Sequence, residues 1–170
     1  MTTPFRQVST SEELTICHQL QADIFHGQLN LSGMKIPDAY DECSIYCQIL
    51  DAQDVIGTYR VVLPNDHMGL PIEESGFQYP HAPQEKVCEM SRLVVRQESR
   101  GKVPFRQIIA SACEIAEQHQ ASVMLAALLP QNLTLFKRYG FSQVGPPLRD
   151  STVDSSDAED GAVIPVAIQI

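Results

Sequence analysis

The sequence predicts an α/β (α+β) sandwich, helices flanking a mixed central sheet, and three stretches predict it. Ser44 to Leu50 and Val55 to Leu63 are two β-branched, apolar segments joined around Asp51-Ala-Gln-Asp54, the pattern of a hairpin. Lys86 to Phe105 reads as a strand, then a short polar loop, then a helix start at Pro104, with Ile108, Ile109, Ala112, Ile115 and Ala116 on one helical face. Ser122 to Leu129 is an unbroken apolar run, suited to a strand buried on both faces.

The remaining elements come in chain order. Ser9 with Glu12, or Thr10 with Glu13, offers a capping box for a first helix. Leu14, Cys17, His18, Leu20, Ile24 and Phe25 then recur at helical spacing, and Gly27 supplies a stop. Residues 28–42 are irregular, a length expected of a lid or a substrate-facing wall. A second long connection, rich in Pro and Gly, covers 64–85. After the central strand (87–96), the main helix (about 104–119) and the apolar strand, Pro130-Gln-Asn opens a short helix through Phe136 and Lys137. Tyr139-Gly140-Phe141 turns into a strand through Val144. Residues 149–161 are acidic and Ser-rich, expected as an exposed loop, and the alternating segment 162–170 is expected to return and close the sheet. One domain over 1–170 is the expected organisation.

Composition narrows the function. A formal charge of −9 argues against a general nucleic-acid binder, because neutralising phosphates requires a basic surface. The N-terminus has no apolar core of signal-peptide length and no run approaches a membrane span, so a cytoplasmic protein is expected. Five scattered cysteines read as reduced thiols. Cys43 and Cys47 stand four apart, which suits a metal only on a helix; a strand is expected there, so no metal site is expected. The histidines at 18, 26, 67, 81 and 119 form no ligand or triad pattern, and Ser91 lacks a nucleophile elbow.

The chemistry concentrates in 86–105. A strand, a loop holding Arg100-Gly101-Lys102 and a helix start form the local design for binding an anion, since backbone N–H groups and the positive helix end point at the ligand. Just upstream, Glu89 stands two residues before Ser91 and three before Arg92, a plausible chemical centre.

This element order, with an Arg-Gly loop between the central strand and main helix, resembles the GNAT acyltransferase fold, whose sheet is mixed and mostly antiparallel. Within it, Tyr40-Asp41, Gly57-Thr-Tyr-Arg60 followed by Val-Val-Leu-Pro64, and Glu89-Met-Ser-Arg92-Leu-Val-Val resemble the acyl-homoserine-lactone synthases and the N-acyl amino acid synthases. The resemblance spans about Leu14 to Gly145. The lactone synthases carry an arginine four residues before the phenylalanine of the first helix, where this chain has Gln21, and a tryptophan shortly after it, whereas this chain has none. These departures turn the resemblance toward N-acyl amino acid synthases or amine acyltransferases of the ornithine-lipid kind. The pyrophosphate loop also departs from that of acetyl-CoA enzymes. It reads Glu98-Ser-Arg-Gly101-Lys-Val103, and Phe136 stands where many of them place a general-acid tyrosine.

The resemblance implies transfer of an acyl group, expected to be fatty, onto the amine of an amino-acid-like acceptor. The donor would be an acyl-phosphopantetheine on acyl carrier protein, or acyl-CoA, with no tightly bound cofactor. Glu89 is the expected base, direct or through water. Arg60 and Arg92 would clamp an acceptor carboxylate, and Asp41 would grip the amino group or hold an arginine. Phe25 and Met124 would wall an acyl tunnel. Backbone N–H groups of Leu93, Val94 and Val95 would bond the pantetheine arm and thioester oxygen, and Arg100, Gly101 and Lys102 would meet the donor's phosphate or an acidic carrier. The bland alternatives are an ion pair of Glu89 with Arg92, Arg60 completing a buried network, Asp41 as an exposed turn residue and Phe25 as core. The rival functions are acetyl-CoA-dependent N-acetylation of a small amine and a non-catalytic acyl-thioester-binding module.

Overall fold

A computed structural model describes residues 4–149 and 162–170. The acidic stretch expected as an exposed loop therefore lies outside the described residues, apart from Arg149. Thr10 caps helix α1 (Ser11–Ala22): the Glu13 N–H donates to the Thr10 hydroxyl at 3.2 Å, and the Thr10 N–H donates back to the Glu13 carboxylate at 3.3 Å. Of the two capping boxes the sequence offered, the chain uses this one. Gly27 does not end an α-helix as expected. The α-helical run stops at Ala22 and widens into a π-helical stretch, Asp23–Gln28, which carries Phe25. π-Helical turns re-aim side chains and gather at functional sites.

The hairpin forms from β2 (Ser44–Asp51) and β3 (Asp54–Val62), and a short strand β1 (Phe5–Gln7) pairs with β2. Strand β4 (Val87–Val95) is antiparallel to β3 and leads through α2 (Phe105–Gln118) to β5 (Val123–Leu128), which is parallel to β4. After α3 (Leu133–Arg138), strands β6 (Ser142–Gln143) and β7 (Leu148–Arg149) both pair with β8 (Ala162–Gln169). The sheet order is β1-β2-β3-β4-β5-β8-β6, antiparallel except at β4–β5.

The face of α2 read from the sequence is the one that packs: Ile108, Ile109, Ala112, Ile115 and Ala116 join a core with Ile49, Tyr59, Met90, Met124 and Val166. Each buried isoleucine contributes about 1.5–3 kcal/mol, whereas an exposed pair such as Lys102–Asp51 is screened by solvent and adds little. Apolar burial therefore fixes where α2, and the loop before it, sit on the sheet.

Two irregularities in β4 open a space beside it. On the β5 side the parallel pairing covers only Val87–Val123, Cys88–Met124 and Glu89–Leu125; among the described residues no further pair joins the two strands, though β4 runs on to Val95 and β5 to Leu128. On the β3 side the register shifts between Thr58–Val94 and Arg60–Ser91, and Arg92 takes the left-handed conformation (φ 56°). A bulge bends its strand and sharpens the local twist. The two strands part at Glu89 and leave a wedge.

Candidate active site

The wedge opens into a cleft of about 940 Å3, within the range of small-molecule and cofactor sites. Its walls come from the π-helical turn and the loop after it (Phe25, Leu29, Met34), from β4 (Glu89 to Val95), from the start of α2 (Val103, Phe105) and from the β5 end (Ala127, Leu128). Phe25, Leu93, Val94, Val95, Arg100 and Gly101 all line it. Met124, expected in the tunnel wall, is instead fully buried in the core and is not among the lining residues. Ala127 is the one exposed residue of β5, where the apolar run promised burial on both faces, because it faces the wedge. The Arg96 N–H donates to the Ile56 carbonyl at 2.8 Å. Strand alternation then turns the Val95 N–H away from β3, toward the side that β5 has left.

Glu89 sits at the apex of the wedge, 2 % exposed, and accepts the Ile72 backbone N–H at 2.8 Å. Burial pushes its carboxyl up to about 8, against the smaller opposing effects of the Ile72 N–H and the Arg60 charge. It makes no ion pair with Arg92 among the described residues. Both arginines turn to Asp38, a residue the sequence did not single out. Arg60, 1 % exposed, binds Asp38 through both carboxylate oxygens, at 2.6 and 2.9 Å, and reaches Asp41 at 2.7 Å and the Ser91 hydroxyl at 2.9 Å. Arg92 donates from Nη2 to Asp38 at 2.6 Å and to the Lys35 carbonyl.

Arg60 thus spends four donor contacts inside a buried network while also lining the cleft. Arg92 differs. Its side chain is 8 % exposed, it lines the cleft, and its buried Nη1 has no hydrogen-bond partner. Burial and the neighbouring Arg60 charge lower its pKa, outweighing Asp38. Burial alone would raise Asp38, but the hydrogen bonds and charge of Arg60 and the charge of Arg92 hold its carboxyl below the usual range. Asp41 is no exposed turn residue: Oδ1 takes Arg60 and the Tyr46 hydroxyl (2.7 Å), and His18 Nε2 stands 2.9 Å from Oδ2 in ion-pair range, without hydrogen-bond geometry. It holds an arginine, one of the two roles the sequence left open.

The loop before α2 is divided. Gly101 takes a positive φ of 87°, a conformation natural to glycine, and with Arg100 faces the cleft, whereas Lys102 turns outward to Asp51 at 2.7 Å. Phe136 is buried between the rings of Phe105 and Phe141 and offers no hydroxyl. Cys43 stands 3.6 Å from His67, and no group of three metal-ligating side chains is found among the described residues. No described helix is long and apolar enough to cross a membrane.

A family model described as N-acyl amino acid synthase FeeM matches residues 31–158. Among solved structures, FeeM, an N-acyl amino acid synthase from uncultured soil microbes, is similar over 97% of this chain and 88% of its own, with 14% identity and a TM-score of 0.76. ElaA of Escherichia coli is similar over 99% and 100%, at 14% identity and 0.72. The CoA-dependent acyl-homoserine lactone synthase BjaI, solved with SAM and isopentyl-CoA, is similar over 99% and 84%, at 18% identity and 0.70. At such identities the likeness establishes the fold, the GNAT sandwich that the sequence motifs resemble. No curated protein matches the chain in sequence.

Proposed function

The chain belongs to the N-acyl amino acid synthase FeeM family, and from that premise we propose that this acyltransferase moves a fatty acyl group from a phosphopantetheine thioester to the amine of an amino-acid-like acceptor. One observation carries the reading: a buried carboxyl, Glu89, at the point where β4 and β5 part, heading a largely apolar cleft of about 940 Å3. A fatty chain beside the pantetheine arm fits that volume; an acetyl group on the same arm needs less of it.

In this reading the donor enters between the strands, its carbonyl oxygen facing the β4 backbone near Val95, where an N–H stabilises the oxyanion. Arg100, Gly101 and the start of α2 receive the donor's phosphate. Arg92 Nη1 takes the acceptor's carboxylate, a charge-assisted bond that its buried, unpartnered position favours. Glu89 removes the proton from the acceptor's ammonium. The amine nitrogen then bonds to the thioester carbon, the C–N bond forms, the C–S bond breaks with its electron pair on sulfur, and the second proton of the nitrogen passes to the departing thiolate or to solvent. A thiol of ordinary pKa, about 8.5, leaves as thiolate without an acid, consistent with Phe136 in place of a tyrosine. Val103 at the loop narrows the approach of a free CoA pyrophosphate and favours acyl carrier protein as the source of the arm.

The test is mass spectrometry of lipid extracts from a bacterial host expressing the protein or its Glu89→Gln variant, whose amide oxygen can still accept the Ile72 N–H. New N-acyl amino acids are expected with the parent chain and not with the variant. Equal amounts from both would remove Glu89 from the chemistry, and no new species from the folded parent would remove the long-chain reading.

A further inference from the structure

Among the charged groups lining the cleft, the buried arginines have partners, whereas Lys35 and Arg100 pair with no carboxylate among the described residues. Arg60 and Arg92 face Asp38 and Asp41, two cations against two anions, and Glu89 accepts the Ile72 N–H. Glu74 stands outside this balance. It lines the cleft, and no cation pairs with it among the described residues. It is an exposed residue oriented by one hydrogen bond. The buried Tyr40 donates its hydroxyl to Glu74 Oε1 at 2.9 Å, which leaves Oε2 free.

Glu74 also belongs to the 3-10 turn Pro71–Ser75, whose Ile72 N–H holds Glu89. A carboxylate is thus presented two residues along from the contact that orients the candidate base. An acceptor with its amine at Glu89 and its carboxylate at Arg92 has only its side chain left to meet Glu74.

We infer that Glu74 is the specificity residue for the acceptor side chain, and that the acceptor is an α-amino acid with a cationic side chain, an amine or a guanidinium. The inference rests on the acyl-transfer reading above. A guanidinium pairs with a carboxylate through two parallel N–H bonds, and an uncharged side chain of the same shape forfeits the charge. Tyr40 is a positioning residue here: it aims one oxygen of Glu74 and leaves the other for the ligand.

The probe is competition between L-arginine and L-citrulline, nearly isosteric acceptors that differ in charge. The purified chain would be given S-myristoyl-4′-phosphopantetheine and the two N-acyl products quantified by mass spectrometry. Arginine is expected to win by about tenfold in kcat/KM, the equivalent of one modest charge pair. Glu74→Gln should bring the ratio to about one, and Glu74→Lys should make L-glutamate a better acceptor than arginine. Tyr40→Phe should lower the arginine ratio without reversing it. Equal use of the two acceptors by the parent chain, or a ratio that survives Glu74→Gln, would overturn the assignment while leaving the transferase reading intact. Acylation of neither, with another L-amino acid acylated in their place, would overturn this assignment alone; acylation of no amino acid would overturn the transferase reading and this assignment with it.

Discussion

Asp38 grips Arg60 through both carboxylate oxygens, Oδ1 to Nη1 at 2.6 Å and Oδ2 to Nη2 at 2.9 Å, and its Oδ2 also takes Arg92 at 2.6 Å. One loop carboxylate therefore ties the wall at 29–38 to two neighbouring strands and sets the direction of the arginine left with an open nitrogen.

Replacing Asp38 by Asn should be costly. Arg60 is nearly fully buried, and removing one partner of a buried ion pair costs about 3–5 kcal/mol because the other charge is stranded. Asp41 remains on Nη1 and softens this toward the lower figure. Urea unfolding of Asp38→Asn should show a loss of about 3 kcal/mol. A loss below about 1 kcal/mol, no more than a surface pair contributes, would mean that the network does not hold the fold.

The same pair gives an acid limb. The Asp38 carboxyl is held below its ordinary value, so its contribution is present above the unfolded-state pKa, about 3.9, and is lost as pH falls through the lower folded value. Asp38→Asn should remove that part of the pH dependence of stability below about pH 4. Parallel pH–stability curves for the two proteins would contradict it.

Glu89 has the opposite sign. Its carboxyl is raised to about 8, so the folded state keeps a proton that the unfolded chain releases near about pH 4.3. The stabilisation is full below that value and is lost as pH rises toward 8. The stability of Glu89→Gln relative to the parent should therefore grow across this window. A constant difference from about pH 5 to 8 would place the carboxyl at an ordinary pKa.

Gly57 faces Val95 across the β3–β4 ladder, and a Cβ there would come within 2.6 Å of the Val94 carbonyl oxygen. That is backbone, so the strand itself must shift. Gly57→Ala should cost about 1–3 kcal/mol and reduce acyl transfer by moving the Val95 N–H. Unchanged thermal unfolding and turnover would show that β4 tolerates the displacement.

How legible the fold and site were depended on how local their determinants are. The amphipathic face of α2, the Asp51–Asp54 hairpin and the Thr10–Glu13 cap are written within a few neighbouring residues, and each formed. Strand β1 is three residues long and exists only through its pairing with β2, so no periodicity could mark it. Asp38, after Pro37 in an irregular stretch, looks like a turn residue. Its role depends on Arg60 and Arg92, which stand 22 and 54 positions away. The left-handed Arg92 and the parting of β4 from β5 are likewise products of packing. Among the lining residues, Phe25 and the Leu93–Val95 run were readable from their motifs. Glu74 had no signal, since its place depends on the Tyr40 hydroxyl 34 residues earlier.

In the proposed reaction an amine attacks a thioester at the head of the wedge with Glu89 as its base. Its most direct test is the pH dependence of free-thiol release from S-myristoyl-4′-phosphopantetheine by the purified chain, with an L-amino acid present. Release that requires the amino acid, rises about tenfold per pH unit up to about pH 8 and then levels, and falls about a hundredfold or more in Glu89→Gln is the predicted result. Release that is independent of the amino acid, or that follows the same profile in Glu89→Gln, would contradict it.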